Sequence, residues 1–181
     1  MIFTETKLKD AYIIELEKLG DERGFFARSW CQKEMESHGL NTKLRQANIS
    51  LSKDRRTLRG LHLQKAPFRE AKLIRCTKGA LHDVIVDLRK DSPSFMQWIG
   101  VELTSENYKM LYVPEGFAHG FLTLENNTEA SYQVSQFYTP EAEVGIRWND
   151  PSLEIKWPFA PKVMSEKDKG HPDFNPDVIN W

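Results

Sequence analysis

Cysteine is scarce in this 181-residue chain, with Cys31 and Cys76 the only two. They show no CxxC spacing and sit in unlike contexts, so two reduced thiols are expected rather than a disulfide framework. Long apolar runs are also missing, and no segment is expected to cross a bilayer. The first ten residues, MIFTETKLKD, carry no apolar stretch of the secretory kind. These absences together point to a cytoplasmic protein. A surplus of one charge is absent as well. Lys and Arg number 25 against 26 Asp and Glu, a formal net charge of -1. No global pull toward nucleic acid or an anionic membrane follows, and any phosphate site has to be a local cluster of cations. No repeat, low-complexity tract or Gly/Ser linker divides the chain. One domain over residues 1–181 is expected. Its Pro/Asn/Asp-rich end, 170–181, is expected to lie over the surface, tacked down by Phe174, Ile179 and Trp181.

What is present is the balance of a globular protein, 40% hydrophobic and 28% charged. Strand-like stretches dominate: residues 11–17 (AYIIELE), 44–51 (LRQANISL), 71–76 (AKLIRC), 80–89 (ALHDVIVDLR), 97–103, 110–114, 116–124 and 129–138. Turn signals fall at Lys78-Gly79, Asp91-Ser92-Pro93, Pro114-Glu115-Gly116 and Asn126-Asn127. Only two segments look helical. One is 31–38, stopped by Gly39. The other begins near Ser165, with Glu166 and Asp168 in its first turn. Many short strands with frequent turns predict an all-β sandwich or barrel.

Four stretches hold polar or ionisable groups in apolar surroundings. In Leu61-His62-Leu63-Gln64 a strand would turn the two leucines one way and His62 and Gln64 the other. Lys72 stands beside Leu73 and Ile74. Residues 114–121 (PEGFAHGF) deliver His119 from a tight turn into an aromatic strand. Tyr132 and Tyr138, six apart, share a face if 129–138 is one unbroken strand. Singly, such residues are more often packing or solvated edges. Together they supply a base, a cation and a phenolic acid, the set that proton transfer next to a carbonyl requires.

The runs DERGFF (21–26), QANIS (46–50), LRGLH (58–62), Lys72-Leu73, Asp83-Val84, VDLR (86–89), PEGFAHGF (114–121), WNDP (148–151), IKWP (155–158) and SEKD (165–168) carry a resemblance to the dTDP-4-dehydrorhamnose 3,5-epimerase family. The resemblance covers nearly the whole chain in order. It implies a cupin-type double-stranded β-helix, or jelly-roll barrel, with a few short peripheral helices. It also implies a homodimer, no metal, no organic cofactor, and a nucleotide-linked 4-keto-6-deoxy sugar as substrate. Carried over by position, His62 is the general base and Asp168 its dyad partner. Lys72 meets the enolate oxygen, and Tyr132 is the acid on the opposite face. Arg23, Gln46, Asn48 and Arg59 contact diphosphate or sugar. Phe26 and Tyr138 border the base, and His119 lines the cleft through a hydrogen bond.

These roles make physical sense. A C–H beside a ketone yields to a neutral imidazole only if a preorganised cation meets the charge that develops on oxygen. Inversion needs one group on each face of the carbon. A carboxylate behind the imidazole fixes its tautomer, and Arg forks suit diphosphate oxygens. Two positions depart from the family pattern: Arg28 stands where many members have glutamate, and Glu70 where glutamine is common.

Several rivals remain. A single-carbon 3- or 5-epimerase would use the same groups, and a 3,4-ketoisomerase the same barrel. A non-catalytic sugar-nucleotide-binding module would need no His62–Asp168 pair. A metal-dependent cupin would draw on His62, Gln64, Glu70 and His119, with Gln64 in place of a stronger histidine ligand. Of the other histidines, His82 is expected in the core or an interface, His38 at the surface, and His171 solvated in a loose tail.

Overall fold

A computed structural model describes residues 1–177. Thirteen strands dominate these residues: β1 (Ile2–Glu5), β2 (Tyr12–Glu15), β3 (Leu19–Asp21), β4 (Gly24–Phe26), β5 (Gln46–Ser52), β6 (Leu58–Gln64), β7 (Lys72–Lys78), β8 (Ala80–Asp87), β9 (Trp98–Thr104), β10 (Met110–Val113), β11 (Phe117–Thr123), β12 (Thr128–Val134) and β13 (Glu143–Gly145). The two expected helices are α1 (Gln32–Ser37) and α2 (Glu166–Lys169). α1 stops before Gly39, whose φ of +71° suits a residue without a side chain. α2 starts where the Ser165 hydroxyl accepts the Asp168 N–H at 3.0 Å.

A six-stranded sheet runs β1-β2-β10-β7-β12-β5, and a five-stranded sheet runs β13-β6-β11-β8-β9. β3 and β4 form a separate hairpin. Ile74 and Cys76 of β7, Leu111 and Val113 of β10 and Ala130 of β12 meet Leu81 and Ile85 of β8 and Phe117 and Phe121 of β11 in the core between the sheets. The five-stranded sheet is covered on its other face too. Val84 and Val86 pack there with Leu61, Leu63, Ala118, Ile146 and Leu153. Burial on both faces explains why the VIV run of β8 breaks a period of two. α1 lays Met35 over Ile14, Leu73 and Met110 on the outside of the larger sheet.

Leu61 and Leu63 are buried, each worth about 1.5–3 kcal/mol. That anchorage allows the opposite face of β6 to carry a histidine. β6 and β11 also come unusually close. A Cβ on Gly60 would stand 2.7 Å from the Gly120 Cα, so both strands need glycine where they cross.

β12 ends earlier than the sequence suggested. The Ser135 hydroxyl accepts the Ala71 N–H at 2.7 Å and the chain leaves the sheet there. Tyr132 and Tyr138 therefore do not share one unbroken strand. β3, β4 and β13, three residues each, were too short for periodicity to mark.

The tail is not loose. Pro172 accepts the Arg147 N–H at 2.8 Å, the Phe174 N–H donates to Asp150, and Phe174 packs in the second core cluster. Ile179 and Trp181 lie outside the described residues. His38 is exposed and stacks on Phe3 at 4.0 Å. His82 is half-buried against Trp157, and burial pushes its pKa down.

Candidate active site

Between the sheets the apolar core gives way to polar side chains. A cavity of about 510 Å³ adjoins a second of about 400 Å³. His62, Lys72 and Tyr132 line both. Strand alternation places them: Lys72 precedes Ile74 and Cys76 on the inward face of β7, and Tyr132 follows Ala130 on that of β12. β7 and β12 are paired, with Val134 opposite Lys72 and Tyr132 opposite Ile74. His62 comes from β6 in the other sheet. The imidazole and the phenol thus enter the space from opposite walls.

His62 Nε2 lies 2.7 Å from Asp168 Oδ1. With Nε2 donating to the carboxylate, Nδ1 holds the basic lone pair and has no hydrogen-bond partner among the described residues. Burial would raise the Asp168 pKa, but the bond and charge of His62 and the contact with Ser165 outweigh it and hold the carboxyl below its ordinary value. The carboxylate is therefore available to stabilise an imidazolium. Lys72 Nζ lies 3.1 Å from Glu70 Oε1, both side chains nearly buried. Glu70 also lines the second cavity, so it both pairs with the lysine and faces the cleft. Burial raises the pKa of Tyr132, and the Glu70 charge adds to the rise. Both effects favour the protonated phenol.

A second imidazole–carboxylate pair stands beside the first. His119 is the register partner of His62 on β11, and its Nε2 lies 2.6 Å from Oδ1 of the fully buried Asp83 on β8. It lines the first cavity.

Arg59 reaches across from β6 to β5, with Nε 3.2 Å from Ser52 Oγ and Nη2 3.1 Å from the Leu51 carbonyl. It lines the first cavity, while Gln46 and Asn48 line the second. Tyr138 reaches that second cavity from the loop after β12. Its N–H donates to Gln46 at 2.7 Å and its hydroxyl to Glu143 at 2.6 Å. Arg23 and Phe26 are not brought to either cavity. Both sit exposed on the β3–β4 hairpin, Arg23 paired with Asp21. Arg28 pairs with Glu34 at 3.4 Å.

The donor set for a cupin metal is already engaged. The Gln64 amide is buried, donates to the Phe68 and Phe137 carbonyls and accepts the Thr139 N–H. Glu70 is held by Lys72. His62, Asp168 and His171 bring ligand atoms within 4.8 Å of one another. However, 2.7 Å between His62 and Asp168 is a hydrogen-bond length, whereas two ligands of a tetrahedral ion stand about 3.3 Å apart.

Sequence reasoning missed Glu143, Lys167 and His171. Glu143 sits on β13, pairs with Lys167 and lies in the second cavity. His171 is not solvated. Its side chain is 8% exposed and Nε2 lies 3.2 Å from Asp168 Oδ1. Its place three residues after Asp168, one turn along, was the available signal.

A profile of the dTDP-4-dehydrorhamnose 3,5-epimerase family matches residues 5–176. The chain is 44% identical over 174 residues to the dTDP-4-dehydrorhamnose 3,5-epimerase of Salmonella typhimurium, covering 95% of this chain and 94% of that one. The crystal structure of the Elizabethkingia anophelis enzyme of that name superposes with a TM-score of 0.93 at 43% identity, covering 99% of each chain. The Bacillus anthracis enzyme of that name, solved with TDP and PPi bound, gives 0.91 at 44% identity over 96% of this chain and 99% of that one. The likeness carries the all-β, cupin-type architecture expected from the sequence.

Proposed function

The chain belongs to the dTDP-4-dehydrorhamnose 3,5-epimerase family, and from that premise we propose how its cleft performs the reaction. The protein is an isomerase that inverts C3 and C5 of a dTDP-linked 4-keto-6-deoxyhexose. The shared position of His62, Lys72 and Tyr132 in both cavities carries the mechanism.

His62 Nδ1 takes the proton from the carbon beside the ketone. The electron pair of that C–H moves onto the C4 oxygen, where the Lys72 ammonium meets the charge. Asp168 holds the imidazolium that forms. Tyr132 returns a proton to the opposite face, leaving a phenolate and an imidazolium. Exchange with solvent resets both, and the sequence repeats at the second carbon. No step calls for a metal or organic cofactor. Arg59, Gln46 and Asn48 bind the diphosphate or sugar, His119 lines the cleft, and Tyr138 borders the base.

Arg23 and Phe26 fit this scheme through a homodimer in which the hairpin reaches the partner's cleft. β5 supports that arrangement. Its polar residues face the cavities, while Ile49 and Leu51 on the outward face are 71% and 49% exposed. Phe25 and Phe26 of the hairpin are exposed too, and apolar surface of this kind marks an interface. A single domain over 1–181 and a cytoplasmic location complete the reading. No described helix is long and apolar enough to cross a membrane.

The test is proton NMR of the keto sugar in deuterated water, with dTDP and with other nucleotides attached. Deuterium at both C3 and C5 with both centres inverted is expected, and with dTDP above all. Exchange at one carbon would mark a single-carbon epimerase. A carbonyl moved to C3 would mark the ketoisomerase.

A further inference from the structure

The β3–β4 hairpin carries Arg23 and Phe26 and lies away from both cavities. It has three residues on each strand, all of them exposed. A ribbon that short is marginal by itself, so its direction has to be set by the rest of the chain. Phe25 makes the connection. Its ring meets Tyr108 edge-on, with centroids 5.1 Å apart. The Lys18 ammonium lies over both rings, 4.7 Å from the centre of Phe25 and 4.2 Å from that of Tyr108. Tyr108 stands on a firm base in the turn between β9 and β10. There the Asn107 side chain donates to the Glu102 carbonyl and accepts the N–H groups of Thr104 and Lys109. Lys109 in turn lies 3.8 Å from Glu15 at the end of β2. The Tyr108 backbone has a φ of +55°, uncommon for a bulky residue and kept where the surroundings enforce it.

We propose that Tyr108 and Lys18 are positioning residues: they clamp Phe25 and so hold the hairpin, with Arg23 and Phe26, in the direction from which it enters the partner subunit's cleft. Neighbouring side chains on a strand point opposite ways, so a clamp on Phe25 turns Phe26 outward. Phe26 is 68% exposed against 43% for Phe25. The clamp also sits at the far end of the sheet from the chain's own cleft. β10 begins beside Tyr108 with Met110, paired with Arg75, and ends with Val113, paired with Lys72. Lys72 therefore lies about 10 Å along the strand from the clamp. A hairpin free to swing would lose that freedom each time substrate binds, and the clamp removes the loss in advance. Neither Arg23 nor Phe26 moves a proton, so the clamp acts on binding rather than on the chemical step.

The role of the clamp rests on the proposed homodimer, and the two are read separately. Sedimentation of the parent protein reports the dimer. A monomer would remove the homodimer, and the clamp's role with it, while leaving the epimerase reading standing. Steady-state assays with the dTDP-linked keto sugar then compare the parent with Tyr108→Ser, Lys18→Gln and Tyr108→Phe. KM is expected to rise about 5–20-fold in Tyr108→Ser and about 2–5-fold in Lys18→Gln, with kcat within about twofold of the parent's. Tyr108→Phe keeps the ring and should keep the parent's KM. Amide exchange should quicken in β3 and β4 of the first two variants and stay as in the parent elsewhere. Mixed dimers locate the effect. With Tyr108→Ser and His62→Asn on one chain and a parent chain as partner, the working cleft receives the loosened hairpin and KM should be raised. With the two substitutions on different chains, the working cleft receives an intact hairpin and KM should be the parent's. A parent-like KM in Tyr108→Ser, or in Lys18→Gln if the former does not fold, overturns the proposal. So does a loss confined to kcat, or a KM raised in the second mixed dimer instead of the first.

Discussion

Two imidazole–carboxylate pairs stand side by side on β6 and β11, and their geometry is nearly the same: 2.7 Å for His62–Asp168 and 2.6 Å for His119–Asp83. Their surroundings differ. The His62 side chain is 31% exposed and opens onto both cavities, whereas that of His119 is 11% exposed and lines only the first. Asp168 sits on a short capped helix, at a site reached by a second histidine. Asp83 lies deep in the five-stranded sheet, its Oδ2 without a hydrogen-bond partner among the described residues. A short His–Asp distance is therefore not what makes a base. The base we propose is the more open imidazole, His62, which faces both cavities that Lys72 and Tyr132 line, whereas His119 reaches only one of them.

The sharpest way to break this comparison is to remove each imidazole in turn. His62→Asn should lower kcat by about 10²–10⁴-fold, while His119→Asn should act mainly on KM. Equal losses of kcat in steady-state assays would erase the distinction between the pairs.

A smaller effect concerns acid stability. The folded Asp168 has a pKa below its ordinary value of 3.8, so its contribution is present above that value. As pH falls the unfolded chain takes up the proton first, and the contribution is gone once pH has passed through the folded value. Urea unfolding between about pH 5 and about pH 2 should show this loss in the parent. It should be flatter in Asp168→Asn, which has no carboxyl to titrate. Parallel curves for the two proteins would contradict it.

Much of the site was legible in the sequence because strand alternation fixes which way a side chain points. Leu61 and Leu63 fixed that His62 turns to the face opposite theirs, whereas the inward direction of Lys72, with Ile74 and Cys76, came only from the fold. Ser165 marked the start of the helix that carries Asp168. The failures have a common physical source in contacts made far along the chain. Tyr138 returns to the cleft through bonds to Gln46 and Glu143 rather than along β12. His171 looked solvated because nothing local reveals Gly145, the glycine on β13 that receives its ring. Arg23 and Phe26 lie on an exposed hairpin away from both cavities, and the homodimer we propose is what would give them a role.

The central claim is tested most directly by Tyr132→Phe with dTDP-4-keto-6-deoxyglucose in deuterated water. Deuterium should still enter beside the ketone, because the imidazole works from its own wall, while inverted product nearly disappears. Inversion at the parent's rate in that variant, or loss of exchange together with inversion, would contradict a two-wall mechanism.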